Sequence, residues 1–132
     1  MFSPLLLGTG NARERTTRMG LARITVGLST VNTGIGAKIF GAPAEQITTA
    51  TRLLARLFAV RNIVLGIWTL AVRDASTTER QRCFRLNLAV DVADLAVAVP
   101  ALLQRDLRRT AVMSIALALS ATLGWLQILQ EG

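Results

Sequence analysis

The sequence predicts an all-α protein, an antiparallel four-helix transmembrane bundle, and three observations carry that prediction. First, 52% of its 132 residues are hydrophobic and only 17% are charged. With a mean hydropathy of +0.46, a water-facing chain of this length could scarcely cover its surface with polar groups. Second, the apolar residues fall into four long stretches separated by short breaks of Gly, Pro or charged residues. Third, the stretch 110–130 is uncharged over about the 20 residues that cross bilayer hydrocarbon, and it has no polar stripe at helical period.

Taken in order, residues 1–16 read as an N-terminal lead-in. Pro4 to Leu7 is a short apolar patch ended by Gly8 and Gly10, too short for the core of a signal peptide and without a basic region before it. Arg13, Arg15 and Arg18 then form a basic collar of the kind that stays cytoplasmic. Residues 17–132 make up the single helical domain. Helix one is predicted over 17–40, with Arg23 and Lys38 at its ends snorkelling to the interfaces. Its centre is rich in Gly and in Thr or Ser, which allow helices to approach closely in a membrane. Phe40-Gly41-Ala42-Pro43 breaks the chain.

Helix two is predicted over 44–72 and carries Arg52, Arg56 and Arg61, followed by a polar turn at 73–81. Helix three, 82–103, holds Arg85, Asn87, Asp91 and Asp94, with Pro100 kinking its far end. Helix four covers 110–130, and Trp125 near its end suits an interfacial aromatic belt. Arginines at 73, 80 and 82 would share one side with the N-terminal collar, which places both termini in the cytoplasm and the protein in a bacterial inner, or plasma, membrane.

Composition also excludes chemistry. The net charge of +7 comes without a dense basic tract, and aromatic residues are 5%, too few for base-stacking platforms, so nucleic-acid binding is not expected. There is no His, and Cys83 is the only cysteine. That removes disulfides within the chain, His-ligated haem or zinc, and His-based triads, so neither a cofactor nor a metal is predicted. Cys83 reads as a small apolar filler near a helix start.

The residues out of place in an apolar bundle are charged. Arg61 and Asp91 are equally far from Ser76 at the centre of the turn, and in an antiparallel hairpin equal distance means equal depth. The spacing therefore predicts an Arg61–Asp91 pair, completed by Arg56 and Asp94. Asn87, Asp91 and Asp94 share one helix face, and Asn32, Thr30 and Asn87 are the expected neutral partners. A lone charge at mid-bilayer costs about 3 kcal/mol on insertion scales, a cost that falls when an arginine fork grips a carboxylate. The network is either a structural clasp that fixes helix register or a pocket for a polar or anionic ligand head. Asp-x-x-Asp without a third acid does not make a metal site.

Arg23 to Leu28, Gly34 to Lys38 and the break at Phe40 to Pro43 resemble the opening of DoxX-like four-helix membrane proteins. Arg56, Arg61-Asn62, Leu65-Gly66 and Asp91 to Asp94 resemble a related uncharacterised family of integral membrane proteins. The resemblance spans roughly residues 20 to 130. It implies the four-helix fold and the importance of Arg56, Arg61, Asp91 and Asp94, but no established activity.

These readings lead to a non-enzymatic membrane protein that binds a lipid-like or small hydrophobic molecule, or serves as accessory subunit of a membrane complex. Its partners are membrane lipids and further copies of itself or a larger complex. Two rivals are an oligomeric proton-coupled carrier in which Asp91 or Asp94 titrates, and an intramembrane isomerase or cyclase.

Overall fold

A computed structural model describes residues 11–130, and the lead-in expected over 1–10 lies outside them. The described residues form five α-helices and two 3₁₀ turns, with no strand among them. The helices are α1 (Ala12–Val31), α2 (Thr33–Ile39), α3 (Thr49–Ala71), α4 (Thr77–Ala101) and α5 (Arg108–Gln130). Contacts join Gly20 to Gly66 and Gly27 to Ala59 across α1 and α3, Thr69 to Cys83 across α3 and α4, and Phe84 to Trp125 across α4 and α5. Residues 11, 72–76 and 130 therefore share one end (the terminal end), while 32–48 and 102–107 share the other (the loop end).

Local chemistry accounts for each boundary. α1 begins five residues earlier than the apolar pattern suggested, because the Asn11 side chain accepts the Glu14 amide at 2.9 Å and caps the helix there. The helix expected to run to Phe40 breaks at Asn32. That residue is extended (φ −84, ψ 111), and its side chain accepts from the Ile35 amide to start α2. Asn favours such a cap over a helix interior because its side chain competes for backbone groups. Gly41 adopts φ 67, which a side chain would strain, and reverses the chain after α2. The stretch 44–46 is a 3₁₀ turn, and α3 starts only after Thr48, which forms a capping box with Thr51.

Ser76 caps α4 through the Glu79 amide, so this helix also begins five residues before the expected Arg82. Pro100 stands in its last turn, and the helix ends one residue later. The two loop-end connections are tied by Gln46, whose Nε2 donates to the Asp106 carbonyl at 2.9 Å.

The four long helices pack as two close pairs, α1 with α3 and α4 with α5. Between α1 and α3 the backbones nearly touch. A Cβ on Gly27 would lie 2.8 Å from the Ala59 carbonyl oxygen, and one on Gly66 would lie 2.8 Å from that of Gly20. The two pairs meet at the terminal end in an apolar cluster of Met19, Val72, Cys83, Phe84, Trp125 and Ile128. Phe84 stacks on Trp125 with ring centroids 5.9 Å apart.

The outward faces are strongly apolar. Leu54, Leu57, Val60, Val64 and Ile67 of α3 are all more than half exposed, and Leu21, Leu28, Val92, Leu123 and Leu126 continue the pattern on the other helices. Two helical segments, Thr49–Ala71 and Arg105–Gln130, are long and apolar enough to cross a membrane.

At the terminal end Arg13 donates from Nε to Asp74 Oδ1 at 2.6 Å, tying the first turn of α1 to the α3–α4 turn. The hydrogen bond from Arg13 holds the Asp74 carboxyl below its ordinary range, and the charges of Arg13, Arg73 and Arg80 act in the same direction. A depressed carboxyl stabilises the fold above its unfolded pKa of about 4, and that contribution is lost as pH falls through the lower folded value. Hydrogen exchange at residues 12–18 should therefore accelerate below about pH 4. Asp74→Asn should show the fast exchange at neutral pH and no further acid step. An unchanged profile in the variant would remove Asp74 from the account.

Candidate functional site

The site is built around Arg23. Because α1 starts at Ala12, Arg23 lies deep in the helix rather than at its edge, and the expected snorkelling does not occur: the residue is 8% exposed. Its Nη1 donates to Asn62 Oδ1 of α3 at 2.7 Å, and its Nη2 donates to Asp91 Oδ2 of α4 at 2.7 Å. Trp125 of α5 donates its indole N–H to the same Asp91 oxygen at 2.7 Å, and the Arg23 guanidinium lies 5.8 Å from that ring's centroid. One side chain from each long helix thus meets in a single buried layer. Trp125 is 1% exposed and serves this layer, not an interfacial belt.

The predicted Arg61–Asp91 pair is replaced by two others. Arg61 grips Asp94 with both Nη atoms, at 3.1 and 2.8 Å, while Asp91 belongs to Arg23. The equal-depth rule assumed that α3 and α4 pack face to face. They are only loosely apposed, since α3 packs on α1, and this lets Arg23 reach the level of Asn62 and claim Asp91. Arg61 also lies over the Phe58 ring, 5.0 Å from its centroid.

The remaining candidates are scattered. Arg56 is exposed and makes no ion pair with Asp94 among the described residues. Asn32 is exposed and spent on capping α2. Thr30 is buried, but its hydroxyl returns to the carbonyls of Val26 and Gly27 on its own helix. Asn87 is fully buried one turn from Asp91 toward the terminal end, donating to the Cys83 carbonyl at 2.9 Å and lying 3.4 Å from the Thr69 hydroxyl. Cys83 is buried as expected of a filler, with its sulfur 3.7 Å from that hydroxyl. No group of three or more potential metal ligands occurs among the described residues.

Three participants, Arg23, Asn62 and Trp125, were not singled out from the sequence as members of the network. Arg23 carried a signal, since Arg23 and Asn62 stand close to Gly27 and Gly66, and small residues mark where two helices approach. Trp125 carried none, because a Trp near a helix end suits an interface equally well.

Beside the charged layer and mainly toward the loop end, though reaching Met19 of the terminal-end cluster, lies a cavity of about 410 Å³. Arg23, Asn62, Asp91 and Asp94 line it together with Trp125, and its walls are otherwise mainly apolar, including Phe40, Phe58, Ala111 and Ala118. Thr110, Ser114 and Ser120 of α5 supply the hydroxyls of the lining. The exposed Val97 and Leu107 also belong to it, so it extends to the surface. On the other side of the charged layer the terminal-end cluster is tightly packed. The arrangement can hold a molecule with an apolar body and one polar end.

No protein-family model matches the chain, and the searches of curated proteins and of solved structures found no match either.

Proposed function

We propose that this is a non-enzymatic integral membrane protein whose four long helices all span the bilayer and whose central cavity holds a small amphiphilic molecule. The single observation behind the ligand is the cavity itself. At about 410 Å³ it falls within the range of small-molecule sites, and like them it combines apolar walls with a few convergent polar groups.

The membrane reading draws on the inverted distribution of side chains. Large aliphatic residues cover the outside, while Arg23, Asn62, Asn87, Asp91 and Thr69 occupy the interior. Hydrocarbon solvates the first set, and the second set is hydrogen-bonded within the bundle, with Asn87 Oδ1 as the one atom left without a partner among these residues. Arginines on both flanks, such as Arg82 and Arg85 at one end and Arg52 and Arg105 at the other, suit anionic headgroups. The basic terminal end supports cytoplasmic termini.

Binding is favoured over carriage because the cavity has a packed, apolar cluster behind its polar floor. A carrier needs a second exit, and the side chains of Phe84, Cys83 and Ile128 fill that position, with Met19 at the boundary between cluster and cavity.

Native mass spectrometry from mild detergent tests the reading. The wild-type protein should retain a small-molecule adduct. Ala118→Phe, which puts a ring into the cavity wall where Ala118 is 7% exposed, should lose that adduct while keeping its helical content. Equal adducts on both proteins would overturn the assignment to this cavity.

A further inference from the structure

The chemistry of the cavity floor specifies the polar end of its ligand. Three charged side chains line the cavity, and they are one cation and two carboxylates: Arg23, Asp91 and Asp94. The second nearby cation, Arg61, is not part of the lining and reaches Asp94 with both of its terminal nitrogens. Arg23 in turn directs one terminal nitrogen to Asn62 and the other to Asp91. Arg61 is thus turned to Asp94 although its Nε has no partner, and Arg23, which lines the cavity, spends two of its five N–H groups on protein oxygens.

The lining carboxylates keep free acceptor positions as well. Asp91 Oδ2 takes the bonds from Arg23 and Trp125, and Oδ1 receives none among the described residues. Each carboxylate offers about four lone-pair sites, and two bonds are recorded to each of Asp91 and Asp94, so acceptor capacity remains on both. The Ser114 and Thr110 hydroxyls add further acceptors on the facing helix. The lining sets two carboxylates against one guanidinium, so an incoming carboxylate or phosphate meets net negative charge at close range, which disfavours it.

On the ligand-binding reading above, we infer that the cavity selects an amphiphile whose polar end donates hydrogen bonds, a hydroxyl or an ammonium, and turns away anionic heads. At about 30 Å³ for a water-sized group, the space holds about a dozen such groups. Ten-carbon chains are therefore suitable probes.

The reporter is built in. Trp125 sits on the floor beside Asp91, and the chain has two tryptophans, so Trp68→Phe leaves Trp125 as the sole emitter. This protein, in lipid nanodiscs at neutral pH, is titrated separately with decanol, decylamine and decanoate. Decanol and decylamine should change Trp125 emission saturably, with half-saturation at least tenfold below that of decanoate. Asp94→Asn, at a carboxylate that is about a third exposed and so tolerates change better than Asp91, should weaken decylamine at least tenfold and leave decanoate unchanged or tighter.

Decanoate binding as tightly as either donor probe overturns the inference. If decanoate alone saturates, and the response disappears in Ala118→Phe, the cavity still binds ligands and only the donor-head assignment falls. If no probe saturates, or all three respond identically in Ala118→Phe, the ligand-binding reading falls with it.

Discussion

Asp91→Ala should be among the most destabilising single substitutions in the chain, costing about 3 to 5 kcal/mol, the range for removing one partner of a buried ion pair. Asp91 is 3% exposed and receives two hydrogen bonds of 2.7 Å, from Arg23 and Trp125. Without it the guanidinium of Arg23 stays buried with no counter-charge, held only by the Asn62 carbonyl. The Trp125 indole N–H loses its acceptor as well. Arg23→Ala alone should be similarly severe, because it strands the carboxylate. Arg23→Met combined with Asp91→Leu should recover most of the loss, since apolar residues of similar size avoid the desolvation that both charges carry.

Arg61→Ala separates this layer from the outer pair. Arg61 and Asp94 remain 37% and 31% exposed at their side chains, so breaking that pair should cost well under the Asp91 value. Denaturant or thermal melts in detergent would rank the four proteins. If Asp91→Ala melts with the wild type, or the double variant is no better than either single one, the buried layer is not what joins the helices.

The sequence carried the broad architecture because that depends on sums over many residues. Long apolar stretches, broken by Phe40 to Pro43, by 73–81 and by 104–109, already imply an all-helical chain of long helices joined by short turns. Cap chemistry moved the boundaries: Asn11 and Ser76 each start a helix five residues before the apolar pattern does, and Asn32 breaks one within it.

The site was legible as residue types but not as partners. Asp91 and Asp94 stood out because carboxylates in an apolar helix must find cations. Which cation each finds depends on which helices pack together, and that rests on Gly20, Gly27 and Gly66, whose pairing across helices no local pattern reveals. Arg23 illustrates the coupling. Once α1 begins at Ala12 and lies against α3 along the glycines, Arg23 is carried inward to the depth of Asn62, and Arg61 is left to Asp94.

That dependence makes the glycine contact the second large lever. Gly66→Leu places a Cβ 2.8 Å from the Gly20 carbonyl oxygen and 2.5 Å from Ile24 Cγ1, and the remaining side-chain atoms have no space. Gly27→Leu meets the Ala59 carbonyl oxygen at 2.8 Å and Ile63 Cγ1 at 2.7 Å. A flexible side chain can turn aside, but a helix backbone cannot, so α1 and α3 must separate. Overpacking of this kind costs about 1 to 3 kcal/mol at each position, and occasionally more. Here a second loss follows, because Arg23 lies between the two glycines on α1 and Asn62 lies between their contact points on α3. Separating the helices stretches the 2.7 Å bond that joins them. Gly36→Ala, by contrast, lies on the short helix α2 and meets its nearest atom at 3.3 Å, on the Thr30 backbone in the last turn of α1, and should be mild. Disulfide trapping reads the spacing directly in a Cys83→Ala background. A cysteine pair introduced at Ala22 and Asn62 should cross-link less readily once Gly27→Leu is added, while a pair bridging α4 and α5 keeps its yield. Equal cross-linking with and without Gly27→Leu would mean that the close approach of α1 and α3 does not depend on these glycines.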